Sequence, residues 1–137
     1  MRISDAIYHL PDKPTYAIRI ASPGFNNLRE FPLENSPLYV GISEYIFDDA
    51  DDFYRPEWAV MFDEDIAGRV LQDFEIHRDG CESLLVHCSK GENRSPAVAI
   101  ALNEIFGLGQ DSAALKEQYP DSNWFVYKIL KKVAEQK

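Results

Sequence analysis

The stretch from Leu84 to Leu102, LLVHCSKGENRSPAVAIAL, constrains the fold more than any other part of this 137-residue chain. It begins with a short apolar run that ends at His87 and is typical of a buried parallel strand. A tight polar loop follows, and the residues from Ser95 to Phe106 have a helical pattern. A strand, a loop and a helix in this order predict an α/β protein with the loop at a helix N-terminus.

The rest of the chain alternates between strand-like and helix-like segments. The strand patterns are Tyr16 to Ala21 and Leu38 to Ser43, and the helical patterns run from about Asp63 to His77 and from about Asn123 to Glu135. Gly80 is expected to cap the first of these helices. We therefore expect one domain over residues 1–137, with a central, mostly parallel sheet flanked by helices on both faces.

Composition and charge argue against some function classes. Apolar residues make up 45% and charged residues 27%, as in ordinary soluble proteins. The formal charge of −9 argues against nucleic-acid binding, which needs a basic face. No apolar run approaches the length that a bilayer requires, and the first residues lack the apolar core of a signal peptide. We expect a cytoplasmic monomer with no nucleic-acid or membrane partner.

The two cysteines, Cys81 and Cys88, need separate explanations. They are too few for a disulfide framework, and no His/Cys cluster at metal-ligand spacing accompanies them. The strand-like SLLVH segment between them keeps them too far apart for a disulfide. Cys81 is interpreted as a structural residue, whereas Cys88 begins the polar loop. We expect neither a metal nor a cofactor.

The loop from Cys88 to Arg94 has the residues of an anion site. A loop that closes at a helix N-terminus directs backbone N–H groups into one concavity, and the helix dipole adds positive potential. Gly91 supplies the backbone freedom that a tight loop needs, and Arg94 can grip two phosphate oxygens. Donors that hold a phosphate also stabilise a thiolate. A Cys88 thiolate beneath a bound phosphorus would be placed for in-line attack.

The string HCSKGENRS resembles the signature loop of the cysteine-dependent protein tyrosine and dual-specificity phosphatases. The order YVGIS, FDDAD, a helix, LLVHC and RSPAVAIAL is similar to that of compact bacterial members. This resemblance covers about Leu38 to Phe106, half of the chain.

The resemblance implies a mechanism that needs no metal. Cys88 attacks phosphorus to form a cysteinyl-phosphate, Ser95 steadies the sulfur as a leaving group, and His87 orients the loop from behind and helps to stabilise the thiolate. The expected phosphate-binding residues are Ser89, Lys90, Gly91, Glu92, Asn93 and Arg94. The partner would be a phosphorylated protein or a small phosphate ester.

The resemblance also implies a general acid, an aspartic acid on a separate loop that protonates the departing oxygen and then activates water. Asp49 in FDDAD is expected to fill this role, with Asp48 as the second choice. The other candidates are Asp51 and Asp52. Glu57 is interpreted as the start of the next helix. For each acid the alternative is a solvated loop carboxylate.

The loop departs from the family pattern at Lys90, Glu92 and Asn93. Lys90 would favour highly charged phosphates and Glu92 would oppose them; if both face solvent, the two effects roughly cancel. Two kinds of substrate stay open. One is phosphotyrosine in a protein, with or without phosphoserine and phosphothreonine, and the other is a non-protein phosphate ester. A phosphate-binding module without turnover is an alternative. Rhodanese-like sulfur transfer is another, which Gly91 and Arg94-Ser95 fit less well.

Overall fold

The computed structural model describes residues 1–6, 9–24 and 28–136. The elements, in chain order, are α1 (Ile3–Ala6), β1 (Thr15–Ala21), β2 (Tyr39–Ile46), α2 (Glu64–His77), a 3₁₀ turn (Arg78–Gly80), β3 (Ser83–His87), α3 (Arg94–Phe106), α4 (Ser112–Gln118) and α5 (Trp124–Glu135).

The three strands form a parallel sheet in the order β2-β1-β3. Ile18 of β1 pairs with Ser43 on one side and with Val86 on the other. All seven residues of β1 are buried, so the central strand is covered on both of its faces. The predicted α/β fold with a parallel sheet is confirmed.

Helices α2, α3 and α5 form one packed group, because α5 contacts both α2 and α3. Helix α5 buries Val126, Leu130 and Val133, whose spacing places them on one helical face. The side chain of Asp63 accepts a hydrogen bond from the Ile66 N–H and caps the start of α2. Helix α2 contacts β2 and helix α3 contacts β3, so this group packs against the sheet.

Two local expectations were wrong. Helix α2 continues into the 3₁₀ turn, and its cap residue is Arg78, whose N–H bonds to the Phe74 carbonyl. Gly80 is not among the glycines with positive φ, so it does not act as a left-handed cap. Glu57 lies in a turn several residues before α2, so it does not begin that helix.

Two short helices, α1 and α4, were not predicted. Helix α4 has seven residues, none of them buried, so it carries little apolar periodicity. Its start is marked by Asp111, whose carboxylate accepts a hydrogen bond from the Ala114 N–H. Within the described ranges, no helix is both long and apolar enough to cross a membrane.

Candidate active site

The sulfur of Cys88, directly after β3, is the centre of the candidate site. Cys88 is 2% exposed. The backbone N–H groups of Gly91 and Ser95 lie 3.3 and 3.4 Å from Sγ, and the Ser95 Oγ lies 3.2 Å from it. Helix α3 begins at Arg94, so its positive end faces the sulfur. If Cys88 is ionised, all three groups can donate to the thiolate.

Gly91 is required by the shape of the loop. Its φ of +73° lies in the left-handed region, which side chains disfavour. A Cβ at this position would lie 2.6 Å from the Arg2 nitrogen and from the Met1 carbonyl carbon. Met1 and Arg2 pack against the loop here, and the Cys88 N–H donates to the Met1 carbonyl at 3.1 Å. The predicted need for glycine is confirmed.

Arg94 is held at the carboxyl ends of two strands. Its Nη1 donates to the Ser22 hydroxyl at 2.9 Å and to the Phe47 carbonyl at 2.7 Å. Ser22 follows β1 and Phe47 follows β2. The side chain is 6% exposed, so these contacts fix the guanidinium where it borders the cavity above Cys88.

A cavity of about 190 Å³ lies over the loop. It is lined by Asp49, Cys88, Ser89, Lys90, Asn93 and Arg94. An anion bound there would meet two cationic side chains, from Lys90 and Arg94. The predicted loop residue Glu92 is exposed and is not part of this lining. Gly91 is buried at the base of the loop.

The four candidate acids have different surroundings. Asp49 lines the cavity, and its Oδ1 accepts a hydrogen bond from Asn123 Nδ2 at 2.9 Å. Asp48 accepts from the Val60 N–H at 2.7 Å. The other two carboxylates make contacts within their own loop. Asp51 accepts hydrogen bonds from the N–H groups of Phe53 and Tyr54, and the carboxylate of Asp52 lies 3.7 Å from the guanidinium of Arg55. The fold thus brings Asp49, but not its three neighbours, into the lining of the cavity.

His87 lies behind the loop and is fully buried. Its Nε2 accepts a hydrogen bond from Arg19 Nε at 2.9 Å, so the ring proton of the neutral form is on Nδ1. Burial, and then the positive charge of Arg19, lower the pKa of His87 to about 4. The ring is therefore neutral near pH 7, so it adds no charge beside Cys88.

Arg19 is itself 3% exposed and anchors the segment after β1. Its Nη1 donates to the Leu28 carbonyl at 3.2 Å and its Nη2 donates to the Phe31 carbonyl. The carboxylate of Glu44 lies 3.8 Å from Nη1. Burial lowers the pKa of Arg19, and Glu44 partly offsets this effect.

Arg19, Ser22 and Asn123 contact the predicted site residues but were not predicted as part of the site. Arg19 had a signal, because it is the charged residue in the otherwise apolar strand YAIRIA. Asn123 had only the signal of a helix cap, since its partner Asp49 is 74 residues away in sequence. Ser22 had none beyond its place in a turn.

No protein-family model matches the chain, and no curated protein matches it either. Within the described part of the chain, no group of three or more His, Cys, Asp or Glu side chains is arranged to hold a metal ion.

Solved structures are similar to the chain in fold. The crystal structure of P. aeruginosa TpbA has a TM-score of 0.50 at 16% identity, over 90% of this chain and 74% of that one. That of Tk-PTP in the active form has a TM-score of 0.49 at 16% identity, over 90% and 81% of the two chains. That of PTPMT1 has a TM-score of 0.49 at 14% identity, over 88% and 77%.

The fold is of the tyrosine and dual-specificity phosphatase type. This confirms the resemblance seen in the signature loop at the level of the fold. At these identities the likeness concerns architecture, so the chemistry has to be argued from the residues of the site.

Proposed function

We propose that this protein hydrolyses phosphoric monoesters through a cysteinyl-phosphate on Cys88, and that its substrate is phosphotyrosine in a protein. The observation that carries the proposal is the convergence on one sulfur of three polar groups, from Gly91 and Ser95, at the start of a helix. This arrangement supports a thiolate, and the neighbouring Arg94 supports a phosphate above it.

In the first step the Cys88 thiolate attacks phosphorus, and the S–P bond forms as the ester P–O bond breaks. The electron pair of that bond stays on the departing oxygen, which takes a proton from the carboxylic acid of Asp49. Arg94 and the backbone N–H groups of residues 89–94 bind the three equatorial oxygens. Lys90 adds positive potential at the rim of the cavity.

In the second step water attacks the cysteinyl-phosphate. The Asp49 carboxylate accepts a proton from the water, an O–P bond forms and the S–P bond breaks. The sulfur leaves as a thiolate, steadied by the Ser95 hydroxyl. Inorganic phosphate is released and Asp49 is again protonated for the next substrate.

Phosphotyrosine is proposed because the signature loop resembles that of tyrosine and dual-specificity phosphatases. Phosphoserine, phosphothreonine and small phosphate esters would need the same catalytic residues, so they belong in the same assay. The cytoplasmic location and the monomeric state expected from the sequence stay predictions.

The test is hydrolysis of a small aryl phosphate, then of phosphotyrosine, phosphoserine and phosphothreonine peptides, in the presence of a chelator at mildly acidic pH. Cys88→Ser should abolish turnover, whereas the matched Cys81→Ser should retain it. An acid-quenched reaction should contain protein that is heavier by one phosphoryl group on Cys88, by peptide mass spectrometry.

Three results would contradict the proposal. Turnover that survives Cys88→Ser would exclude the cysteine mechanism. No turnover by the parent on any ester, with phosphopeptide binding intact, would indicate a binding module. A preference for non-protein esters over all three phosphopeptides would contradict the proposed substrate while leaving the chemistry in place.

A further inference from the structure

Asn123 joins the loop of the proposed acid to the phosphate-binding loop. It is 6% exposed and precedes α5. Its Nδ2 donates to Asp49 Oδ1 at 2.9 Å and to the Ala50 carbonyl at 3.0 Å. Its backbone N–H donates to the Asn93 carbonyl at 2.9 Å, and the Asn93 side chain returns a hydrogen bond to the Asp121 carbonyl.

The orientation of the Asn123 amide is fixed by its partners. Oδ1 accepts from the Val126 N–H at 3.2 Å, which is the N-cap bond of α5. Nδ2 faces two oxygen acceptors, on Asp49 and Ala50. A flipped amide would set its NH₂ against the Val126 N–H and its oxygen against two other oxygens, so the network admits one assignment.

This orientation distinguishes the two oxygens of the Asp49 carboxyl group. In a protonated carboxyl group the carbonyl oxygen is a better hydrogen-bond acceptor than the hydroxyl oxygen, and Oδ1 is the oxygen that accepts from Asn123. The hydrogen bond from Asn123 therefore favours the form in which Oδ1 is the carbonyl oxygen and the acidic proton is on Oδ2. Asp49 is an exposed loop residue, so its side chain would otherwise be free to turn. Asn123 is buried and fixed by the N-cap bond of α5, and its hydrogen bond to Oδ1 therefore restricts the directions in which Oδ2 can point.

We propose that Asn123 is a positioning residue for the general acid: it holds Asp49 Oδ1 and thereby presents the proton on Oδ2 to the leaving oxygen. This inference rests on the proposed function, since it takes Asp49 as the acid. Asn123 does not touch the phosphoryl group in this account; it acts through Asp49 alone.

The test compares two esters, nitrophenyl phosphate and phenyl phosphate. Nitrophenolate leaves with little need of a proton, whereas phenol, with a pKa near that of tyrosine at about 10, needs one. Asn123→Ser keeps a side-chain oxygen that can cap α5 but removes the donor to Asp49. We expect kcat/KM for phenyl phosphate to fall about 10- to 100-fold, and that for nitrophenyl phosphate to fall much less.

Three controls separate positioning from a structural role. Asn103→Ser removes an equally buried amide, 6% exposed and bonded to Gln110, and should leave the ratio of the two esters unchanged. Inhibition by vanadate should be the same in the parent and in Asn123→Ser, because the phosphate-binding loop is intact. In an Asp49→Asn background, Asn123→Ser should cause no further loss on phenyl phosphate.

Equal losses of kcat/KM on both esters in Asn123→Ser, or weaker vanadate inhibition, would overturn the inference and indicate a structural role. If Asp49→Asn loses activity mainly on phenyl phosphate while Asn123→Ser does not, the acid is right and the positioning role is wrong. If Asp49→Asn has no such preference, Asp49 is not the acid and the inference falls with it. If the parent protein shows no turnover that depends on Cys88, the proposed function itself is refuted.

Discussion

The buried His87 should make the stability of this protein depend on pH in a defined way. Burial and the charge of Arg19 lower its pKa from 6.5 to about 4. Between these two values the unfolded chain binds a proton at this histidine and the folded chain does not. The free energy of unfolding should therefore fall as the pH drops from 6.5 toward 4, and the contribution vanishes above 6.5, where both states are neutral.

The size of the effect follows from the shift in pKa. Each unit is worth about 1.4 kcal/mol, so the full range corresponds to about 3 kcal/mol. Between about pH 7 and about pH 5 the linkage relation gives a loss of about 2 kcal/mol. This is a large part of the stability of a small domain, which is about 5–15 kcal/mol.

The matched variant is His87→Gln, whose side-chain oxygen can still accept the hydrogen bond of Arg19 Nε but does not titrate. Urea unfolding of both proteins at the two pH values gives the change in the free energy of unfolding with pH for each protein. Subtracting one change from the other cancels the contributions of the other titrating groups. The parent should lose about 2 kcal/mol more than His87→Gln. Equal losses in the two proteins would refute a depressed pKa for His87.

Three further predictions concern the loops and the helix group. Asp49→Asn should lower kcat/KM for phenyl phosphate by about 10²–10⁴-fold, whereas Asp48→Asn, whose side-chain oxygen can still accept from Val60, should stay near the parent value in the same assay. Gly91→Ala should destabilise the fold by at least about 1 kcal/mol in urea unfolding and weaken vanadate inhibition, because a Cβ would strain the loop and meet Met1 and Arg2. Burial alone would raise the pKa of Glu104, but hydrogen bonds from the side chains of Ser112, Tyr127, Lys131 and Lys116 lower it to about 2. Glu104→Gln should therefore reduce the free energy of unfolding at neutral pH by about 1–3 kcal/mol. An unchanged free energy of unfolding would show that these hydrogen bonds do not stabilise the fold.

The sequence was sufficient for the parts of the fold that local patterns determine. The apolar run ending at His87 and the helical repeat after Ser95 placed β3 and α3 within one residue of their bounds. Gly91 could be assigned because its place in a tight loop requires a positive φ. The end of α2 was less predictable. Arg78 keeps helical dihedral angles, so the chain continues from α2 into a 3₁₀ turn, and a glycine at position 80 does not stop the helix earlier.

The contacts that cross the chain could not be predicted. Asp48 and Asp49 are neighbours with the same side chain, and their different surroundings depend on Val60 and Asn123, which lie 12 and 74 residues away. The resemblance in sequence narrowed the proposed acid to a short acidic run but could not choose within it. The choice depends on which carboxylate the loop turns toward the cavity, and that is a property of packing.

The topology gives a physical basis for the proposed anion site in a chain with a formal charge of −9. All three strands run parallel, so their carboxyl ends meet at one edge, where Ser22, Phe47 and Cys88 follow β1, β2 and β3. Arg94 donates hydrogen bonds to Ser22 and to Phe47 at this edge, and it borders the cavity above Cys88. Charges farther than about 8 Å from a bound anion are largely screened at physiological ionic strength, whereas Arg94 borders the cavity and would act in direct contact. The proposed phosphate site therefore depends on local donors held at the strand ends and not on the net charge of the protein.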